Sequence, residues 1–180
     1  TSFMRRRYTR DLNGVDVAVL GVPFDLATTN RSGTRLGPRG IRTASASLAW
    51  ENQVQGWDFS PLEELAIVDY GDCPFDAGTP EKVPEQIYQQ AKAILATDTA
   101  LLSLGGDHFV SYPLLRAHAE KYGPLALIHF DAHSDTWEDD GERIDHGTMF
   151  YHATKQGLVV PEHSAQIGLR TYNESTMGFN

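Results

Sequence analysis

The chain has 180 residues, with 15 lysines and arginines against 24 aspartates and glutamates, for a formal net charge of −9. Hydrophobic residues make up 41 % and charged residues 22 %, a balance that excludes disorder on composition and suits a chain with a sizeable buried core. The acidic balance argues against nucleic acid or an anionic membrane as partner and favours a cationic small molecule. No stretch approaches the roughly 18 apolar residues of a membrane span, and the single Cys73 cannot form an internal disulfide, which agrees with a reducing, cytoplasmic compartment.

Residues 1–14, polar and carrying Arg5-Arg6-Arg7, read as an arm that is solvated or touches another subunit. Asp16 to Gly21 is a short β-branched run and reads as a buried strand. A helix starts at Pro38, a favoured first-turn residue, and places Ile41, Ala44, Ser45, Leu48 and Ala49 on one face before the chain breaks up near Gly56. Leu65–Tyr70 repeats the strand pattern, and Pro80 to about Ala96 the helix pattern, with Ile87, Ala91, Ile94 and Leu95 in one stripe. Ala100–Leu104 is the next strand, followed by a helix over Ser111–Tyr122 with Leu115, His118, Ala119 and Tyr122 inward. Leu125–Phe130 is a strand, Gly147–Gln156 a helix and Ala165–Leu169 a last strand. Five near-continuous apolar strands separated by helices predict an α/β fold, a doubly wound parallel sheet with helices on both faces. Residues 1–180 read as a single domain. Thr171–Asn180 is polar and supplies no closing helix, so the sheet is expected to be incomplete at its C-terminal end.

Ligands of such sheets sit beyond the carboxyl ends of the strands. Asp131-Ala132-His133-Ser134-Asp135 follows directly on the strand that ends at Phe130. In extended backbone, residues two apart point the same way, so Asp131, His133 and Asp135 converge. Leu104-Gly105-Gly106-Asp107-His108 follows another strand, and its glycines let the chain turn sharply, so that Asp107 and His108 emerge at the same edge. This loop lacks the spacing and the Lys-Ser/Thr of a phosphate-binding loop; an inert, hydrogen-bonded His108 is the plain alternative. Together His108, Asp131, His133 and Asp135 are two imidazoles and two carboxylates, a donor set suited to Mn²⁺, Zn²⁺ or Fe²⁺, with Mn²⁺ and Zn²⁺ both open. A carboxylate such as Asp131 could bridge two ions about 3.5–4 Å apart, a pair that generates hydroxide at neutral pH. Two full shells need more ligands than these four. His146, in Asp145-His146-Gly147-Thr148-Met149-Phe150, stands at a helix start, where a general acid or proton shuttle and a plain terminal residue both fit. Glu138-Asp139-Asp140 and Glu142 read as a solvated loop tip and His118 as a satisfied core residue. His129, inside a strand, is not assigned as a ligand, and His152 and His163 have no context that assigns them.

Gly105-Gly106-Asp107-His108, Asp131-Ala132-His133-Ser134-Asp135 and His146-Gly147-Thr148-Met149-Phe150 resemble the ureohydrolase (arginase/agmatinase) family, its agmatinase members most closely. Gly21-Val22-Pro23-Phe24-Asp25, Gly33-Thr34-Arg35, Gly37-Pro38 and Ile41-Arg42 resemble the family's first strand and loop, Gln166-Ile167-Gly168-Leu169-Arg170 a later strand, and the likeness covers 15–172. Leu26-Ala27-Thr28-Thr29 and Ser47-Leu48-Ala49-Trp50-Glu51-Asn52 are similar to agmatinase sequences in particular. The resemblance implies an arginase-like three-layer α/β fold and a hydrolase with two Mn²⁺ ions that releases urea from a small cationic guanidinium substrate, agmatine, leaving putrescine. Guanidino acids such as 4-guanidinobutyrate or 3-guanidinopropionate, or a metal-binding homologue without catalysis, are the alternatives. In family terms His108, Asp131 and Asp135 hold one ion, Asp131 and His133 the other, and His146 stands near the substrate as a proton-transfer residue. The resemblance also implies a homotrimer or homohexamer, and a further strand ending in Asp-x-Asp and a later guanidinium-binding acid, neither of which these 180 residues contain. The chain is therefore expected to be the N-terminal part of a longer enzyme and to be inactive alone.

Overall fold

The computed structural model describes residues 1–50, 56–139 and 145–171. Strands β1 (Arg7–Tyr8), β2 (Val17–Val22), β3 (Ile67–Asp72) and β4 (Ala100–Gly105) form one sheet in the order β1-β3-β2-β4, and β5 (Ile128–Phe130) and β6 (Ala165–Ile167) form a second. Every pairing is parallel, as the apolar runs predict. The expected strand at Leu125–Phe130 is shorter than its apolar run: Leu125 makes only an isolated bridge with Val159. The helices are α1 (Gly37–Leu48), α2 (Pro61–Glu64), α3 (Val83–Leu95), α4 (Ser111–Tyr122) and α5 (Met149–Lys155).

Strand β2 has a partner on each side, and Ala18, Val19, Leu20 and Val22 are fully buried. Against this centre pack Val83, Ile87 and Ile94 of α3, each stabilising the fold by about 1.5–3 kcal/mol on full burial. Ala91 and Leu95 of the same helix meet Ala117 of α4 in a second cluster. The stripe expected on α3 is therefore the buried one. The one expected on α4 is met only at Leu115, which packs partly buried against the core: Tyr112, Pro113 and Ala117 are the buried residues, and Tyr122 is exposed, because the helix leans on α3 through Leu114 and Ala117.

Two further expectations are corrected. Residues 1–14 are not a loose arm: Arg7 and Tyr8 pair with Val68 and Asp69, the Phe3 amide donates to Asp69 Oδ2 at 2.7 Å, and the Met4 amide donates to Ser45 Oγ at 2.9 Å. Backbone groups make this attachment, so a polar sequence can do it. On helix α1 Ser45 of the expected face is buried, but Arg42 turns inward beside it, while Ile41 and Leu48 are exposed. The Arg42 guanidinium bonds both oxygens of Asp69, at 2.7 and 2.9 Å, and Asp72 Oδ1 at 2.5 Å. Burial alone raises the Asp69 carboxyl, but Arg42 and the amides of Phe3 and Gly71 outweigh it and hold the group below its ordinary value. No helix among the described residues is long and apolar enough to cross a membrane. Glu51, Asn52, Asp140, Glu142 and residues 172–180, which figure in the sequence analysis, lie outside the described residues.

Candidate metal centre

The loop after β4 is built by backbone contact. Gly106 has φ +42° and sits where a β-carbon would collide with the carbonyl oxygens of Val22 and Phe24, so the turn requires glycine. Asp107 then accepts from the amides of Phe109 and Ala27, each at 3.0 Å. Its carboxylate is spent on capping the short 3-10 turn His108–Val110 and on tying down the loop after β2. Burial raises this carboxyl. His108 is left at the edge with its Nδ1 aimed across the gap.

The loop after β5 supplies the other donors. His108 Nδ1 is 2.7 Å from Asp135 Oδ2 and 3.5 Å from Asp131 Oδ2. Asp135 is buried and adopts φ +52°, a left-handed conformation that aspartate tolerates better than most residues. His129, the strand residue that sequence reasoning passed over, joins the group: donor atoms of His108, His129, Asp131 and Asp135 all lie within 4.8 Å of one another. The signal was present, because 129 extends the same two-residue period back into β5. His129 Nε2 is buried without a hydrogen-bond partner among the described residues, 3.7 Å from Asp131 Oδ2. Burial first, and the neighbouring His108 second, lower its affinity for a proton, which favours the neutral imidazole that metals bind. The ring of Phe150 packs edge-to-face with both, its centroid 5.6 Å from that of His108 and 4.7 Å from that of His129.

His133 stands outside that foursome. Its side chain is 59 % exposed, with Nδ1 3.1 Å from Asp131 Oδ1. Asp131 thus presents one oxygen to His108 and His129 and the other to His133. Burial acts to raise the Asp131 carboxyl, but the His133 amide and the facing imidazoles outweigh it and hold it low, so the carboxylate stays ionised. Buried polar nitrogen without a partner, two ionised or ionisable carboxylates and no thiol fit a borderline or hard divalent cation.

His108, Asp131, His133 and Asp135 line a cleft of about 580 Å³. His146 lines it too, and the Thr29 amide donates to its Nε2 at 3.2 Å. That bond links the loop after β2 to the residues preceding α5. The loop after β2 is itself folded round Asp25, which is buried and accepts from the amides of Gly33 at 2.6 Å and Arg35 at 3.2 Å and from the Arg35 guanidinium at 2.7 Å. Arg35 is the main cause that brings the Asp25 carboxyl down to about 2. Cys73, by contrast, is buried away from the cleft with its thiol pushed up to about 11, so it is unreactive. The loop-tip residues are also less free than expected: Tyr151 Oη donates to Glu138 Oε1 at 3.0 Å, and His152 Nε2 lies 2.8 Å from Asp139 Oδ1.

A parallel α/β fold gathers imidazoles and carboxylates beyond the ends of two strands, an arrangement that could hold a metal ion. The chain belongs to the arginase family, whose model matches residues 15–179. It is 58 % identical to an agmatinase of Chromobacterium violaceum over 99 % of this chain and 56 % of that protein. It is 48 % identical to an agmatinase of Proteus mirabilis, covering 91 % and 53 %. Among solved structures, a hypothetical agmatinase from Burkholderia thailandensis superposes with a TM-score of 0.94 at 58 % identity, covering 99 % of this chain and 56 % of that one. Proclavaminate amidino hydrolase from Streptomyces clavuligerus gives 0.83 at 36 % identity, covering 96 % and 57 %. The chain thus spans just over half the length of the relatives it matches.

Proposed function

We propose that the complete protein is a ureohydrolase with two Mn²⁺ ions that converts agmatine and water to putrescine and urea. Asp131 carries this reading: its two oxygens face separate groups of donors, His108 and His129 on one side and His133 on the other, which is what a carboxylate shared by two cations requires. His108, Asp131 and Asp135 would hold one ion, and Asp131 and His133 the other. Bound Mn²⁺ supplies Lewis acidity that makes water a nucleophile near neutral pH.

The chain's own residues do the rest. Thr29 fixes the ring of His146 at the cleft wall, within the space where the substrate must lie. Water adds to the guanidinium carbon, the bond from that carbon to the butylamine nitrogen breaks, and the leaving nitrogen takes up a proton. His146 is the residue we assign to deliver it. The acidic chain favours a cationic substrate over a neutral one. A cytoplasmic location and a homotrimeric or homohexameric assembly complete the proposal, the latter checked by light scattering on the complete protein.

The test is urea release by the Mn²⁺-loaded complete protein offered agmatine, 4-guanidinobutyrate and arginine in parallel. Urea from agmatine alone, abolished by Asp131→Ala, is the expected result. Release from the guanidino acid but not from agmatine would replace the substrate, and silence on all three would leave a metal-binding homologue.

A further inference from the structure

The lining of the cleft combines two chemistries. Beside the candidate metal ligands His108, Asp131, His133 and Asp135 it includes Trp137, Glu138 and Asp145, and no lysine or arginine is among its described lining residues. Trp137 is about half exposed and cannot be explained by core packing. Its amide donates to the Gly147 carbonyl at 3.0 Å, which ties its backbone to the residue after His146, and its indole Cδ1 lies 3.9 Å from where a Gly147 β-carbon would stand. The two residues that follow it are tethered to α5, Glu138 by the Tyr151 hydroxyl and Asp139 by His152. Loop residues held at three consecutive positions are pre-organised, and pre-organisation matters at a wall that meets ligand.

We propose that Trp137 and Glu138 form the recognition wall for a second, distal cation on the substrate, so that the site selects a guanidinium compound bearing an ammonium over one bearing a carboxylate. The inference rests on the ureohydrolase reading and deepens it. An indole face attracts an alkylammonium through its quadrupole. Glu138 adds a charge partner whose carboxylate Tyr151 orients, and the same carboxylate repels the distal group of a guanidino acid. A cleft of about 580 Å³ accommodates a short diamine chain running from the candidate metal ligands to this wall.

The test compares substrates in the Mn²⁺-loaded complete protein. Trp137→Ala raises KM for agmatine about tenfold with KM for 4-guanidinobutyrate little changed, and Trp137→Phe, which keeps an aromatic face, recovers most of that loss. Glu138→Gln lowers the ratio of kcat/KM for agmatine over 4-guanidinobutyrate about tenfold, and Tyr151→Phe shifts it the same way by less. Independently of turnover, putrescine quenches tryptophan fluorescence, and the quench is lost in Trp137→Phe. Substrate ratios equal in wild type and every variant, or a quench that persists without Trp137, overturn the inference even when agmatine still yields urea. Absence of urea from every substrate with the quench intact overturns the hydrolase reading instead and leaves the cation wall standing.

Discussion

His108 Nδ1 lies 2.7 Å from Asp135 Oδ2, a contact that joins the loop after β4 to the loop after β5 and so crosses between the two sheets. It depends on Asp135 holding φ +52°, a conformation that costs on the order of 1–2 kcal/mol for an ordinary residue. Strain kept at such a point is typical of a site where the aim of a side chain matters. Asp135→Ala is expected to lower the Mn²⁺ content of the purified complete protein by more than about tenfold, since even residues behind a metal's ligands change affinity by 10–100-fold. Elemental analysis after dialysis checks this, with circular dichroism to confirm that the fold persists.

His133 touches Asp131 from the side away from His108. With the proposed two-ion centre, His133→Ala should remove about one Mn²⁺ ion per chain, whereas Asp131→Ala removes both, because a carboxylate shared by two ions would serve each. Isothermal titration with Mn²⁺ counts the sites, and equal stoichiometry in the two variants would contradict the shared-carboxylate reading.

Arg42 is buried between Asp69, which has no solvent exposure, and Asp72. Arg42→Met leaves the Asp69 carboxylate facing a hydrocarbon chain, and breaking a buried pair in this way costs about 3–5 kcal/mol. Removing both charges, as Arg42→Met with Asp69→Leu, should recover part of that loss. Denaturant unfolding of the complete protein measures both.

The pH dependence at the acid end has a definite sign at Asp25. Its folded carboxyl is down from 3.8 to about 2, so its contribution to stability is full above about pH 4 and is lost as the pH falls toward 2. The contribution is on the order of 1–2 kcal/mol, kept modest because Arg35, its partner, is about half exposed. In Asp25→Asn this part of the acid slope disappears, and thermal melts between pH 2 and 5 show whether it does.

Two glycines with positive φ should respond differently to alanine. At Gly157, φ +70°, a β-carbon meets nothing, and the cost is that of the backbone conformation alone, about 1 kcal/mol. At Gly106 the same substitution also collides with two carbonyl oxygens, so about 3 kcal/mol or more is expected. The difference in melting temperature between the two variants is the measurement.

What could be read from the sequence was whatever rested on periodicity. The stripe of Ile87, Ala91, Ile94 and Leu95 is apolar and is buried as its spacing predicts. The array from Asp131 to Asp135 is met in part: His129 and Asp131 share the strand's alternation, but β5 ends at Phe130 and Asp135 turns to φ +52°, so Asp135 joins the group by a turn and His133 falls outside it. Helix α1 was legible only at Ser45, because the residue buried beside it is Arg42, whose burial depends on Asp69 and Asp72 far along the chain. Strand β1 has no apolar signal at all, since backbone bonds to β3 hold it. The ties of Tyr151 and His152 to the loop tip are likewise pairings between polar residues that no local pattern announces.

The described residues leave β4 at one end of its sheet and β5 paired on one side only, with Leu102, Ile128, Phe130 and Ile167 all 43 % exposed or more. An open strand edge beside apolar side chains is a template for adding further strands, whatever chain they come from. Expressed as a bare 180-residue polypeptide, the molecule should behave as a colloid whose particle size grows with concentration, so the practical handling of this chain is set by its strand edges as much as by its candidate metal ligands.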